Sequence, residues 1–584
     1  MLALRRLLVA FCVVLSGVAY ALTPGERVVL FSGIKPVWQA NFLSPVLVAS
    51  QTLPSGLTYT KSGSIPATLF DSTGKLTYQG NNLSPYINYT GVGSGYWNIN
   101  STATVTQNNM AAPDGTLTAA RIVVDGTAVN QGVYLNNVAV VGRTEIFSVY
   151  LKGAVGGEVV QIGDASSRTN VTLTTSWVRY NAPAHAALST ADIIYAQNNT
   201  AMTFYAVWPQ LEAVTYQTSP SAFLPTTTTA VFAPRLDTNP ATLSPAGLLV
   251  EEQRVQLLQK SGDLSASPWA SYTAGSGTAA ISANSVVAPD GTTSAAKVTI
   301  NRTTAVSDYA EYYQNFTGTA ASYTASYYVK ADGVGDVGKT IAIALYNGSV
   351  VAATTQITLT STWTRYTVTA TLAASASCNT SIGYLAGVSS QTGTVNFDVW
   401  GGQAELGAFS TSYIPNPTSS TVTRTADVVT FSGVPLAAFK SATGSFVAQT
   451  QLRANDTSTY QAVLAANDGT NFPAPAYWYT SPKHANAYNG TNFLSAANTL
   501  DLTSPQRIAT SWSANGRSLV ASGGTVASDG YSAFGGYNIT VANLGGNNFG
   551  TSNIINGWVQ SLAIYNARLP DPTLKARSVV NAPY

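Results

Sequence analysis

The carboxylates of this chain are the first residues to test for catalysis, because hydrolysis of a glycosidic bond needs two of them flanking that bond. One of the two is usually a Glu that acts as the acid. No Glu follows Glu405, and the six Asp residues beyond it are scattered. Glu251 and Glu252 are adjacent, but adjacent strand residues point to opposite faces, and we interpret this pair as solvated. The sequence therefore predicts a protein that is not an enzyme.

The other groups that could do chemistry are few. His185 and His484 lie far apart and have no clustered partner, which argues against a His-ligated zinc site. No Gly-x-Ser-x-Gly motif precedes a His that could complete a catalytic triad. Cys378 fits a small buried residue. The sequence shows no calcium-loop spacing, so it predicts no cofactor and leaves open a structural calcium ion bound through oxygen atoms.

Aromatic side chains offer a different chemistry. The chain has 31 Tyr and 10 Trp among many Asn, Ser and Thr residues. Flat rings match the apolar C–H faces of sugars, and short amides and hydroxyls match their hydroxyl rims, so this composition favours glycan binding. Most Trp side chains on strands are core residues, and we expect this of Trp177, Trp208, Trp363, Trp400, Trp512 and Trp558. The candidate glycan-binding residues are Tyr96, Trp97, Trp269, Tyr272, Tyr477, Trp478, Tyr479, Tyr488 and Asn489.

An internal duplication indicates which elements must position these rings. Ala111–Thr116 and Val287–Thr292 both contain Ala-Pro-Asp-Gly-Thr, and each belongs to a longer series of shared landmarks in the same order. Pro presets φ, Asp bonds locally and Gly takes positive φ, so we interpret the motif as a turn. The shared landmarks also include Leu173–Tyr180 and Leu359–Tyr366, Gln210–Glu212 and Gln403–Glu405, and Phe223–Pro225 and Tyr413–Pro415.

Composition and periodicity set the fold class. The chain has 584 residues, of which only 9% are charged, and its 48 Gly and 26 Pro punctuate short alternating apolar runs. No convincing helical periodicity interrupts them, so the sequence predicts an all-β protein of tandem β-sandwich jelly rolls. The net charge of +2 gives no support for nucleic acid as a partner.

The predicted organisation begins with a leader. Residues 1–21 combine two Arg, a short apolar run and a small-x-small site, which indicates a signal peptide and a secreted or surface location. Cys378 is then the single Cys of the mature chain, so no intrachain disulfide is expected. The remaining predicted units are an N-terminal β segment (22–80), jelly roll 1 (81–225), a connector (226–262), jelly roll 2 (263–417) and a third β domain (418–584).

Several of these stretches resemble a known class of proteins. The run Gly247–Arg254, the turn Val287–Thr292 and the segment Gln403–Pro415 resemble bacteriophage and prophage virion proteins of the tail-fibre, tailspike or capsid-decoration type, which carry carbohydrate-binding-module-like jelly rolls. Gln506–Trp512 and Gly557–Tyr565 resemble closing strands of a laminin-G or concanavalin A-like jelly roll. The resemblance covers most of the mature chain.

The resemblance implies a virion surface protein that binds host polysaccharide and contacts other virion proteins. An exported bacterial adhesin or glycan-binding protein built from the same modules is the alternative that the leader favours. A hydrolase of envelope glycans is a second alternative, which the scarcity of carboxylates disfavours. Nothing in the sequence determines the oligomeric state or names the sugar.

Overall fold

The structure is a computed structural model that describes residues 34–85, 97–136, 138–303, 307–388, 391–454, 460–480, 483–496, 499–534, 536–546 and 553–584. The predicted signal peptide, residues 1–21, lies outside the described residues. The described chain is an all-β protein of antiparallel sheets, which confirms the predicted fold class. No helix within these ranges is long and apolar enough to cross a membrane.

The N-terminal segment is short strands and one short helix. Its elements are β1 (Trp38–Asn41), α1 (Pro45–Ser50), β2 (Leu57–Thr60), β3 (Thr68–Phe70), β4 (Leu76–Tyr78) and β5 (Asn81–Asn82). Strands β3 and β4 form a hairpin.

The first sandwich has strands that alternate inward apolar and outward residues, as two packed sheets require. Its two sheets have the strand orders β13-β10-β16-β8-β7, with β14 also on β10, and β12-β11-β15-β9-β6. The strands are β6 (Trp97–Asn100), β7 (Thr104–Ala111), β8 (Leu117–Val124), β9 (Gly132–Leu135), β10 (Thr144–Gly153), β11 (Val159–Asp164), β12 (Ser167–Thr172), β13 (Val178–Asn181), β14 (His185–Ala186), β15 (Asp192–Ala196) and β16 (Met202–Ala213).

The connector and the second sandwich follow. The connector contains β17 (Val231–Phe232), β18 (Leu236–Thr238), β19 (Pro245–Val250) and β20 (Arg254–Gln256). The second sandwich contains a 3₁₀ turn (Val334–Asp336) and ten strands within the described residues: β21 (Ala270–Ala274), β22 (Thr278–Val286), β23 (Ala295–Arg302), β24 (Tyr309–Gly318), β25 (Ala321–Ala331), β26 (Thr340–Asn347), β27 (Val350–Thr358), β28 (Thr364–Leu372), β29 (Ser375–Tyr384) and β30 (Gly393–Leu406).

The two sandwiches share one topology. The orders β28-β25-β30-β23-β22 and β27-β26-β29-β24-β21 of the second repeat those of the first strand for strand. The duplicated turn also has the same hydrogen bonds: Asp114 Oδ1 accepts the Thr116 N–H at 2.9 Å, and Asp290 Oδ1 accepts the Thr292 N–H at 2.9 Å. Gly115 in the first turn has φ +84°, which glycine adopts without strain. The landmarks in the sequence therefore mark a duplicated fold.

The third sandwich is built from distant parts of the chain. Within the described residues it has an eight-stranded sheet, β18-β19-β42-β33-β38-β39-β40 with β1 on β42, and a seven-stranded sheet, β2-β32-β41-β34-β35-β36-β37. Its later elements are β31 (Val422–Arg424), which pairs with β20, β32 (Val428–Phe431), α2 (Gly433–Phe439), β33 (Gly444–Leu452), β34 (Tyr460–Asn467), β35 (Ala474–Thr480), β36 (Lys483–Tyr488), β37 (Phe493–Ala496), β38 (Gln506–Ser513), β39 (Gly516–Ala521), β40 (Ala527–Asp529), β41 (Val541–Leu544), β42 (Gly557–Tyr565) and α3 (Asp571–Arg577).

Four strands of this third sandwich come from outside the predicted range 418–584. Strands β1 and β2 belong to the predicted N-terminal segment, and β18 and β19 belong to the predicted connector. The ranges 22–80 and 226–262 are therefore not separate from the third domain, because their strands complete its two sheets. Apolar side chains of these strands, among them Leu57 and Leu248, lie in the same hydrophobic core as those of residues 418–584.

A buried ion network lies where these segments meet. The Arg235, Glu251 and Arg424 side chains are fully buried. Arg235 Nη1 donates to Glu251 Oε2 at 2.6 Å, Arg424 donates to the same oxygen, and Arg235 also pairs with Asp427. Burial alone would raise the pKa of Glu251, but the guanidiniums of Arg424, Arg453 and Arg235 outweigh it and hold that pKa well below its usual value. Glu251 is therefore ionised in the folded protein, which corrects the prediction that it is solvated.

We expect Glu251→Gln to lower the free energy of unfolding by about 3–5 kcal/mol, because removing one member of a buried ion network leaves its partners uncompensated. Glu252→Gln is the matched control, since the Glu252 side chain is 35% exposed and its partner Arg254 keeps Glu405 as a second carboxylate partner. That substitution should cost less than about 1 kcal/mol. Urea unfolding followed by Trp fluorescence measures both. Equal costs for the two variants would contradict the role given to Glu251.

Candidate functional site

The seven-stranded sheet of the third sandwich presents an aromatic face on its outer side. On strand β35 successive side chains alternate, as in any extended strand. Trp478 points inward, is fully buried, and donates its indole N–H to Thr450 Oγ1 at 2.8 Å. Its neighbours Tyr477 and Tyr479 therefore point outward. We call the outward side chains of β34, β35, β36 and β37 described below the aromatic face.

Aromatic rings from four neighbouring strands meet on this face. Tyr460 lies against Tyr479, with ring centroids 5.3 Å apart, and against Tyr477 at 5.4 Å. At the other end Tyr488 stacks on Phe493, with centroids 4.7 Å apart and ring planes 27° from parallel. Tyr460 is 43% exposed and Phe493 is 60% exposed. The face therefore exposes two separate ring platforms on one rigid sheet.

Neutral polar groups lie between the two platforms. Asn486 on β36 lies opposite Tyr477 on one side and Ser495 on the other. The Asn486 amide nitrogen is 3.0 Å from His484 Nε2, and Ser495 Oγ donates to Asn486 Oδ1. None of these outward side chains is a carboxylate, a Lys or an Arg. Asn486 is only 4% exposed, so the rings and the exposed Ser495 hydroxyl are the parts of this surface that match a sugar's C–H face and its hydroxyls.

Several polar atoms of the same sheet are buried without partners. Asn467 and Asn543 are each 1% exposed, and no atom of either side-chain amide has a hydrogen-bond partner among the described residues. The Tyr477 hydroxyl, also buried, has none there either. Buried polar groups are nearly always hydrogen-bonded, and each that is not costs about 1–3 kcal/mol.

The structure brings together three of the predicted site residues and separates the others. Tyr477, Tyr479 and Tyr488 lie on the aromatic face, whereas Trp478 lies in the core on the opposite side of the sheet. Asn489 is buried in the turn after β36, where its Oδ1 accepts the Asn492 N–H at 2.7 Å and shapes the loop.

The remaining predicted residues belong to the two sibling sandwiches. Trp97 is fully buried and Trp269 is 7% exposed, and both rings fill sandwich cores. Neither presents a flat face to solvent, which corrects their prediction as binding platforms. Tyr272 is 47% exposed, and Tyr96 lies outside the described residues.

The structure also corrects the Trp residues predicted as core. Trp512 is a core residue and Trp400 is buried at 4% exposure, but Trp208 and Trp558 are half-buried on outer sheet faces. Trp177 and Trp363 come just before β13 and β28, and their indole N–H groups donate to the carbonyls of Ala111 and Val287 beside the duplicated turns. Both side chains pack outside the sandwiches. Each Trp precedes the first residue of its strand, so it is not part of the alternation that turns every second side chain inward.

A second outward face carries a carboxyl group that the sequence did not single out. On the second sandwich Tyr272 lies against Tyr309, with centroids 5.4 Å apart, and Glu311 lies opposite Tyr272 on the adjacent strand. Burial raises the pKa of Glu311 to about 7. Its Oε2 is buried without a hydrogen-bond partner among the described residues. One carboxyl group does not supply the pair that the usual glycosidase mechanism needs.

No group of three His, Cys, Asp or Glu side chains within the described part of the chain is arranged to hold a metal ion. A structural calcium ion bound through oxygen atoms stays the open prediction made from the sequence.

The raised pKa of Glu311 should make the free energy of unfolding depend on pH. Its pKa is about 7 in the folded protein and near 4.5 when exposed, so the folded protein binds the extra proton between these values. Stability should therefore fall as pH rises through that window, by at most about 3 kcal/mol from this group. Glu311→Gln should remove this part of the pH dependence. Urea unfolding at intervals between pH 4.5 and 8 measures it, and parallel curves for the two proteins would contradict the prediction.

No family model and no curated protein matches this chain. Solved structures similar to parts of it include the tandem family 22 carbohydrate-binding modules of Paenibacillus barcinonensis Xyn10C, at 12% identity over 56% of this chain and 99% of that chain, with a TM-score of 0.20. The family 11 carbohydrate-binding module of Clostridium thermocellum, in complex with a mixed-linked tetrasaccharide, matches at 14% identity over 27% of this chain and 97% of that chain (TM-score 0.20).

A Trypanosoma rangeli sialidase, in complex with the inhibitor DANA, matches at 14% identity over 27% of this chain and 28% of that chain, with a TM-score of 0.20. At these identities and TM-scores the likeness does not indicate what this chain binds. The structural neighbours thus include carbohydrate-binding modules with β-sandwich folds.

Proposed function

We propose that this chain is a glycan-binding protein that holds its ligand on the aromatic face without cleaving it. The observation that carries the proposal is the pair of exposed ring platforms, Tyr460 with Tyr479 and Tyr488 with Phe493, on one sheet. Sugar rings stack on such platforms through their C–H faces, and the exposed, uncharged Ser495 between the platforms suits a sugar hydroxyl group. A rigid sheet keeps both platforms at a fixed spacing, which favours a polymer over a single sugar.

The Asp side chains of residues 418–584 that the structure describes are hydrogen-bonded or ion-paired to other groups of the protein, which supports binding without cleavage. Asp427 belongs to the ion network, Asp529 pairs with Arg517 at 2.9 Å, and Asp571 accepts the Ser518 hydroxyl at 2.7 Å. Asp468 and Asp501 accept N–H groups of the turns that follow them. Asp456 lies outside the described residues. The five described carboxylates each have a structural partner, and none belongs to the aromatic face.

The wider role that we propose is that of a phage or prophage virion surface protein of the tail-fibre or decoration type, recognising host surface polysaccharide. The support for this role is the sequence resemblance of Gly247–Arg254 and Gln403–Pro415. Immunogold labelling of purified particles tests it. Absence from the particles would favour the alternative, an exported bacterial adhesin, and release of reducing sugars from envelope glycans would favour a hydrolase.

Substitutions on the aromatic face test the binding site. We expect Tyr460→Ala and Phe493→Ala each to weaken glycan binding about tenfold, because each removes a ring contact of about 1 kcal/mol or more together with its buried area. Both side chains are largely exposed, so folding should be retained. A glycan array on the purified chain identifies the ligand, and calorimetry then measures the affinity of each variant.

The matched control is Tyr272→Ala, since Tyr272 is equally exposed but lies on the second sandwich. It should leave the affinity unchanged. If Tyr272→Ala lost affinity for the glycan and the other two variants kept it, the binding site would lie on the second sandwich. If none of the three substitutions changed the affinity, neither aromatic surface would be the binding site.

A further inference from the structure

A cavity of about 570 Å³ lies where four parts of the chain meet. The hairpin β3–β4, the turn after β18, the second sandwich and the third sandwich all contribute to its wall. Trp363 and Tyr328 line it from the second sandwich, and Trp558, Arg453 and Gln451 line it from the third. Its volume is in the range of small-molecule binding sites. The strands β33 and β42 beside the cavity belong to the eight-stranded sheet, whereas the aromatic face lies on the seven-stranded sheet.

Arg453 and Trp558 form the polar and aromatic parts of one wall. The Arg453 guanidinium lies over the Trp558 ring, 4.9 Å from its centroid, and its Nε is 2.7 Å from Glu251 Oε1. The Trp558 indole N–H donates to Asp237 Oδ2 at 2.9 Å, which fixes the ring. The two terminal nitrogens of Arg453 have no partner among the described residues, and its side chain is 18% exposed. The wall therefore carries free, positively charged N–H donors beside a fixed ring.

The cavity also contains uncompensated positive charge and an unpartnered hydroxyl. Arg365 lies over Tyr328 at 5.4 Å, and its terminal nitrogens donate only to neutral oxygens, at 2.6 and 2.9 Å. Thr238, 2% exposed, has a hydroxyl without a partner in the described part of the chain. Asp237 also lines the cavity, where its carboxylate accepts the Phe70 and Trp558 N–H groups, so two guanidiniums, those of Arg365 and Arg453, and one carboxylate lie in the wall.

We propose that this cavity binds a carboxylate-bearing sugar, a uronic acid unit of an acidic polysaccharide. The carboxylate is placed against the free N–H groups of Arg453, because charge-assisted bonds to a guanidinium are about twice as strong as neutral ones. The sugar ring is placed against Trp363, whose half-buried side chain lines the cavity. This site is additional to the aromatic face and does not depend on it.

The test uses the full chain with two matched probes, a trimer of galacturonic acid and the neutral galactose trimer, titrated by calorimetry. We expect the acidic trimer to bind at least about tenfold more tightly. Raising the ionic strength from about 0.05 M to about 0.5 M should weaken the acidic trimer alone, because salt screens the charge interaction.

Two substitutions locate the site. Asn239→Asp adds a negative charge at the cavity rim while keeping the side-chain oxygen that accepts the Ala241 N–H at 2.9 Å, so the turn is preserved. It should weaken the acidic trimer at least about tenfold. Trp363→Ala should do the same, and Trp177→Ala, the equivalent position on the first sandwich, should have no effect.

Three results would overturn the proposal. The first is equal affinity for the two trimers, and the second is tight binding of the acidic trimer that neither Asn239→Asp nor Trp363→Ala reduces. The third is tighter binding of an acidic peptide, such as tri-glutamate, than of the acidic trimer. Phe493→Ala reports on the aromatic face alone, so failure of either site is seen independently of the other.

Discussion

The Glu251 carboxylate is the group on which the arrangement of the sandwiches depends. It accepts hydrogen bonds from Arg235 of the connector, Ser412 after the second sandwich and Arg424 of the third. It also forms an ion pair with Arg453 of the third sandwich. Residues of the connector, of the end of the second sandwich and of the third sandwich thus converge on one buried charge. A buried charge is costly unless it is fully paired, so only the arrangement that brings every partner together is stable. We infer that the network contributes more to selecting one assembly of the parts than to stability.

The N-terminal segment connects the three sandwiches around this network. Strands β1 and β2 complete the sheets of the third sandwich, and Tyr59 on β2 donates its hydroxyl to Asp427 of the network at 2.6 Å. The hairpin β3–β4 lies on the second sandwich, where the Leu76 N–H donates to the Pro289 carbonyl at 2.9 Å. The Asn81 amide donates to the Ala213 carbonyl at the end of the first sandwich. One short segment therefore fixes the relative positions of all three.

The sequence predicted what local patterns encode. The duplication was visible because the turn, the Trp-x-Arg-Tyr stretch and the closing Pro segments recur in order. The partners of β1 and β18 were not predictable, because strands paired across hundreds of residues leave no local signal.

The same limit explains why the burial of Glu251 was not predicted. Adjacent side chains do point to opposite faces, but the sequence does not say that Glu251 faces a buried junction while Glu252 faces solvent. On the aromatic face, Tyr477 and Tyr479 were found as a run, whereas Tyr460 and Phe493 join them only through cross-strand pairing.

The duplicated fold acquired different surfaces because different segments cover its two copies. In the first sandwich Tyr150, Trp177 and Trp208 form an aromatic cluster on the outer side of a sheet, and no residue of the N-terminal hairpin belongs to it within the described residues. In the second, Phe70 and Leu76 of the hairpin pack on the equivalent cluster of Tyr328, Trp363 and Trp400. The hairpin covers that cluster only in part, and the third sandwich bounds what it leaves open, so Trp363 lines a cavity while Trp177 does not. A difference between two copies of one fold thus arises from the segments packed against them, and the residues of the repeat itself change little.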